Sequence, residues 1–151
     1  MPKQEASYRW WTDAGIACNV SFMVRELTLL ALAGALGTLS RHGVNVWAAR
    51  ALGERLPYGT LAVNLAGCLL LGFAMQWFAM NDGVSRPVRL MLTVGFLGSF
   101  TTFSTFGYET FRYLQEGAVA DAALNMSLNL ALGLLAVWGG IAAARGLLPS
   151  A

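Results

Sequence analysis

The chain has 151 residues, 56% of them hydrophobic and 12% charged, with a net charge of +2. Soluble domains carry about 25% charged residues, so this composition points to lipid as the solvent, and the length allows one domain. The small net charge and the lack of any Lys/Arg cluster do not suggest a nucleic-acid surface, Lys3 is the single lysine, and Cys18 and Cys68 make no disulfide framework.

Residues 1–22 differ from the rest: they hold Lys3, Glu5, Arg9, Asp13, Trp10 and Trp11, and no sustained apolar run. They lack the ordered head, apolar core and cleavage site of a secretory signal. Two readings stand. One is a poorly ordered extension ahead of Met23; the other is a short interfacial helix, which Trp10 and Trp11 would suit.

Four apolar spans follow, at about 27–46, 58–80, 88–114 and 119–144. Each approaches or exceeds the roughly 20 residues needed to cross about 30 Å of hydrocarbon. Alternation at period two is absent, which argues against a β-barrel. The connections, 53–57, 81–87 and 116–118, are short, so neighbouring spans run antiparallel. Small residues stand at helix-packing spacing in Ala33/Gly37, Ala62/Ala66 and Ala136/Gly140/Ala144, where close backbone approach replaces the hydrophobic drive that lipid lacks.

An even number of spans puts both ends on one side. With residues 1–22 left aside, Arg25, Arg86, Arg89 and Arg145 lie there, against Arg41, Arg50, Arg55 and Arg112 on the other; Lys3 and Arg9 would tilt the count. Positive charge sets orientation, and this balance leaves two readings: a single weakly biased orientation, or insertion both ways with an antiparallel dimer.

The third span carries the densest signal. Gly95-Phe-Leu-Gly-Ser-Phe-Thr-Thr-Phe-Ser-Thr-Phe106 packs four Phe, five Ser/Thr and two Gly into twelve residues. Glycine costs about 1 kcal/mol relative to alanine inside a helix. Backbone freed by a break at membrane depth must be satisfied by protein, water or an ion. Carbonyls turned inward after Gly95 and Gly98, around Thr101 and Thr102, suit a small hard cation such as Na⁺; a simple kink capped by threonine hydroxyls is the other reading. Phe103 and Phe106, at i and i+3 with Ser104 and Thr105 between, can offer ring edges to an anion, or merely pack.

In the second span Asn64 brings two amide donors suited to a small anion, with Thr60 one turn earlier on the same face. Asn125, Ser127 and Asn129 form a polar cluster in the fourth span. Association between helices is the alternative role for each of these groups. Glu109 sits one turn past Phe106, either paired with Arg112 or at a pore mouth. Arg41 either snorkels or concentrates anions. No catalytic constellation emerges, because His42 is the single histidine and no Gly-Lys phosphate loop exists.

Gly34-Ala-Leu-Gly-Thr-Leu-Ser-Arg41, Gly59-Thr-Leu-Ala-Val-Asn-Leu-Ala-Gly67 and the Gly95–Phe106 run, with Glu109 behind them, resemble in order and spacing the CrcB/Fluc fluoride channel family. The resemblance covers about Met23 to Gly146. It implies an all-α integral membrane protein of four transmembrane helices, the third broken mid-membrane. It also implies an antiparallel, dual-topology homodimer with two pores, in a bacterial plasma (inner) membrane. The expected division is an extension at 1–22, a channel domain at 23–146 and a tail at 147–151. Asn64 would line the pore with Thr60, Phe103, Ser104 and Phe106. The Gly98 and Thr101 carbonyls would hold a structural Na⁺ at the dimer axis. Asn125 and Asn129 stand near hydroxyls that the family often carries, while Gly133 departs from a second. Arg41 and Glu109 would belong to a vestibule or interface. The implied activity is passive, fluoride-selective export that lowers cytoplasmic fluoride and gives resistance. The rivals are a proton-coupled exporter of the small multidrug resistance type and a non-transporting membrane scaffold. The exporter needs a carboxylate embedded in its first span, and 27–50 contains none.

Overall fold

The computed structural model describes residues 20–53 and 55–147, with side chains described from Met23 onward. Nearly all of the expected extension, including Trp10, Trp11 and Cys18, and all but the first residue of the expected tail lie outside the described residues. Among the described residues, four helical spans are long and apolar enough to cross a membrane, which makes this a multi-pass membrane protein: Met23–Leu52, Tyr58–Met80, Arg86–Gln115 and Val119–Leu147.

Helix α1 runs Val20–Leu52, six residues beyond the expected end. Arg41, His42 and Arg50 do not break it, since arginine is a good helix former. It stops at Gly53, whose φ of +79° allows its N–H to reach back to the Ala49 carbonyl at 3.1 Å. Helix α2, Tyr58–Met80, starts after Pro57 and ends at Asn81, whose side chain donates to the Trp77 carbonyl at 3.0 Å.

The third span is built in pieces: α3 (Arg86–Leu90), a π-helical stretch (Met91–Leu97), α4 (Gly98–Phe100) and α5 (Phe103–Gln115). The Arg86–Glu26 ion pair, at 3.2 Å, ties its start to α1. Gly117 closes α5 with φ +74°; the N–H groups of Ala118 and Gly117 return to Tyr113 and Leu114, a Schellman end. The fourth span is α6 (Val119–Ser127), a π-helical stretch (Leu128–Leu132) and α7 (Gly133–Leu147).

Small residues decide how the spans meet. Helix α2 lies along α7, with the Gly140 Cα against the α2 backbone: a methyl there would stand 2.8 Å from the Phe73 nitrogen. Ala33 and Gly37 press α1 against the π-helical stretch and α4, where a methyl on Gly95 would reach the Ala33 Cβ at 2.8 Å. The expected Ala62/Ala66 pair is different. Ala62 is half-buried and Ala66 exposed, while Thr60, Val63 and Gly67 turn inward. The i, i+3, i+7 stripe through those three residues sets the face of α2, and Ala66 falls off it. Leu36, Leu39, Leu134, Leu135 and Trp138 point outward and are each at least 60% exposed, as expected of surface meeting lipid or a second copy.

Candidate ion pathway

Thr101 and Thr102 leave the helix, with φ/ψ of −86°/162° and −152°/117°. Both the N–H and the hydroxyl of Thr101 turn back to the Leu97 carbonyl, at 3.0 and 3.1 Å. The Thr102 N–H crosses to α2 and donates to Asn64 Oδ1 at 2.9 Å, and Asn64 Nδ2 donates to the Thr102 carbonyl at 3.2 Å. Thr102 then caps α5, accepting from the Thr105 N–H at 3.2 Å. A continuous helix would have sent the Thr102 amide to Gly98 and the Thr105 amide to Thr101. Both amides are committed elsewhere, so the Gly98 and Thr101 carbonyls lose those partners. Neutral oxygens of this kind suit a small hard cation. Among the described residues no group of three or more His, Cys, Asp or Glu side chains gathers to hold a metal.

The side chains of α2, the fourth span and α5 continue this bonding as one row. Asn64 Nδ2 donates to Asn129 Oδ1 at 3.0 Å. Asn129 Nδ2 donates to the carbonyl and Oδ1 of Asn125, at 3.1 and 3.0 Å. Asn125 Nδ2 donates to Thr110 Oγ1 at 2.9 Å, and Thr110 donates to the Phe106 carbonyl at 2.8 Å. Asn64 and Asn129 thus have their donors engaged inside the protomer.

Asn64, Asn129, Gly98, Thr101, Thr102, Phe103 and Phe106 border a cleft of about 280 Å³. Gly67 also borders it, and any side chain there would run into the Thr101 methyl; glycine is what lets the interrupted backbone approach α2. The Phe103 and Phe106 rings meet edge to face, 5.6 Å apart at 62°. They differ in setting, since Phe106 is 7% exposed and Phe103 79%. Ser104 is exposed and its hydroxyl lies 3.3 Å from that of Thr102.

A second cavity, of about 410 Å³, opens around Asn45, Tyr58, Thr60, Glu109, Arg112 and Tyr113. Thr60 donates to Glu109 Oε1 at 2.8 Å. Glu109 Oε2 and Asn45 Oδ1 are buried without a protein partner. Thr60 and Asn64 stand one turn apart on α2, so the two cavities share a helix face.

The family described as CrcB-like protein, Camphor Resistance (CrcB), matches residues 28–141. This chain belongs to the CrcB family. The fluoride-specific ion channel FluC of Dehalococcoides mccartyi is 50% identical over 115 residues, 76% of this chain and 88% of that protein. The proteins of the same name from Acidobacterium capsulatum and Syntrophotalea carbinolica are 48% and 45% identical. They cover 74% and 81% of this chain, and 90% and 99% of their own lengths.

Two expectations for this CrcB chain change in the structure. Arg112 does not pair with Glu109; it reaches Glu116 at 3.7 Å, one turn further along. Asn45, one turn beyond the half-buried Arg41 on α1, borders the cavity at Glu109. Ser127 is exposed, because i+2 on a helix points away from the face that Asn125 and Asn129 share. Sequence reasoning also passed over Asn45, Thr102 as a bonding partner, and Thr110. Asn45 had one available signal, a polar side chain late in an apolar span; Thr110, between Glu109 and Arg112, had none.

Proposed function

We propose that this chain forms a fluoride-selective channel, two copies of which assemble antiparallel in a bacterial plasma membrane around a shared Na⁺. The observation that carries the reading is the cleft at the helix interruption, where uncharged amide, hydroxyl and ring-edge hydrogens gather in a member of a family whose named relatives are fluoride-specific channels. The channel domain is residues 23–146.

Fluoride is small and holds water tightly, so a path for it must replace the shed water with other donors. Asn64, with Thr60 below it and Asn129 and Asn125 beside it, supplies amide and hydroxyl hydrogens. Phe103 and Phe106 supply positive ring edges, and Ser104 adds a hydroxyl. None bears a charge that would trap the ion. Because both Asn64 N–H bonds are occupied, by Thr102 and Asn129, the ion enters by exchange for one of these partners. That keeps the net gain small and release fast. Thr60 and Glu109 mark the mouth, and Arg41, one turn from Asn45 on α1, belongs to a vestibule or to the interface between copies.

Phe103, exposed on one protomer, lies where a second copy closes the path. Each copy presents the Gly98 and Thr101 carbonyls, so a pair presents four oxygens, enough for a Na⁺ whose charge holds the two interrupted spans together. Transport is passive, since an inside-negative potential drives an anion outward by about 2.3 kcal/mol per 100 mV. Export would lower cytoplasmic fluoride and confer resistance. The test is fluoride efflux from liposomes with no proton gradient. Rapid efflux supports the channel. Flux only with a proton gradient, or none, refutes it.

A further inference from the structure

Thr110 borders neither cavity described above and is 7% exposed, yet it ends the row of amides. We propose that Thr110 is a positioning residue that fixes the direction in which Asn125, Asn129 and Asn64 are strung, and hence which amide atoms the cleft receives. This rests on the reading of that cleft as the fluoride path.

A hydroxyl has one hydrogen. Thr110 gives it to the Phe106 carbonyl, its own i−4 partner on α5, at 2.8 Å. Only acceptor capacity remains, so the group meeting Thr110 Oγ1 must donate. That group is Asn125 Nδ2, at 2.9 Å. Asn125 is 2% exposed, so bulk water does not compete for its amide. With Nδ2 held at Thr110, Oδ1 faces Asn129 and accepts its Nδ2, and Asn129 Oδ1 accepts from Asn64.

The other end agrees. The Thr102 N–H holds Asn64 Oδ1, so Asn64 must present Nδ2 to Asn129. Were the row reversed at Thr110, two NH₂ groups would meet between Asn64 and Asn129. The row thus leaves the third span at the Thr102 N–H, just ahead of α5, and returns to α5 at the Phe106 carbonyl. Its two backbone anchors are four residues apart, on the turn that carries both rings.

The experiment compares two replacements in the purified, reconstituted full chain. Thr110→Val keeps the branched shape and loses the hydroxyl; Thr110→Ser keeps the hydroxyl and loses the methyl. Fluoride efflux is read with an electrode, and the side-chain amide signals of Asn64, Asn125 and Asn129 by ¹⁵N NMR. Because a buried donor left without its acceptor is costly, Thr110→Val is expected to lose about tenfold or more in flux, while Thr110→Ser stays within about twofold of wild type. The Asn64 amide signal, two side chains away, is expected to move in Thr110→Val and to hold in Thr110→Ser. Should Thr110→Val not assemble, Thr110→Ala serves as the hydroxyl-free arm. Equal flux in the Ser variant and the hydroxyl-free variant, or an Asn64 signal unmoved by loss of the hydroxyl, overturns the proposal. Absence of flux in wild type defeats the fluoride reading instead, and the amide signals still decide the role of Thr110.

Discussion

The side chain of Asn64 and the peptide of Thr102 bond each other in both directions, N–H to Oδ1 at 2.9 Å and Nδ2 to carbonyl at 3.2 Å. An asparagine amide has the same donor–acceptor pair as a peptide group, so Asn64 Oδ1 on α2 replaces the Gly98 carbonyl that a continuous helix would have offered the Thr102 N–H. The exchange satisfies that amide and fixes Asn64 at the wall of the cleft.

Removing that pair gives the first prediction. Asn64→Ala leaves the buried Thr102 N–H without its partner, a loss of about 1–3 kcal/mol, and removes one of the two donors to the Thr102 carbonyl. Fluoride efflux from liposomes is expected to fall at least about tenfold, while gel filtration still shows the assembled species. Unchanged efflux would place the path elsewhere.

Phe106→Ile tests the ring edges. The Phe106 ring is buried and leans edge to face on Phe103; isoleucine keeps an apolar side chain and removes the aromatic quadrupole. Efflux should drop sharply with little change in assembly, the reading again taken by electrode and gel filtration. An isoleucine variant that conducts like wild type would reduce the ring to packing.

The bundle itself is tested at Gly140. A methyl there meets the backbone of Leu69 and Phe73, whereas Gly146 faces open space. Gly140→Leu is expected to lower stability by about 1–3 kcal/mol or more, as overpacking does, and Gly146→Leu to leave it unchanged. Thermal unfolding in detergent measures both. Equal melting of the two variants would show that α2 and α7 do not meet as described.

Much of this was legible in the chain. The bounds of α2 follow from Pro57 and the Asn81-Asp-Gly83 turn, and the end of α5 from Gly117, because turn chemistry at each site is local. That Asn125 and Asn129 share a face follows from their spacing. Their bonding to one another and to Asn64 does not, since it depends on which helices touch. The two π-helical stretches, Met91–Leu97 and Leu128–Leu132, were not legible: Gly95 and Asn129 stand out within them, but neither residue type specifies a π turn. Gly95 reads as a helix breaker, yet it serves as a contact point for Ala33 on α1. The helix instead opens where the amide of Thr102 finds Asn64.

The carbonyls of Gly98 and Thr101 carry a further prediction. If they hold a cation between two copies, Na⁺ should remain with the purified protein through extended dialysis against sodium-free buffer, measured by atomic emission. A cation enclosed between two copies would exchange slowly. Complete exchange within the dialysis would remove the structural cation.

Planar-bilayer recording tests the central claim most directly, because it identifies the carrier of the current. With fluoride on one side, chloride on the other and equal pH on both, the account predicts steady single-channel steps whose reversal potential follows the fluoride gradient. A reversal potential set by chloride or by protons, or a silent bilayer with protein demonstrably inserted, would contradict it.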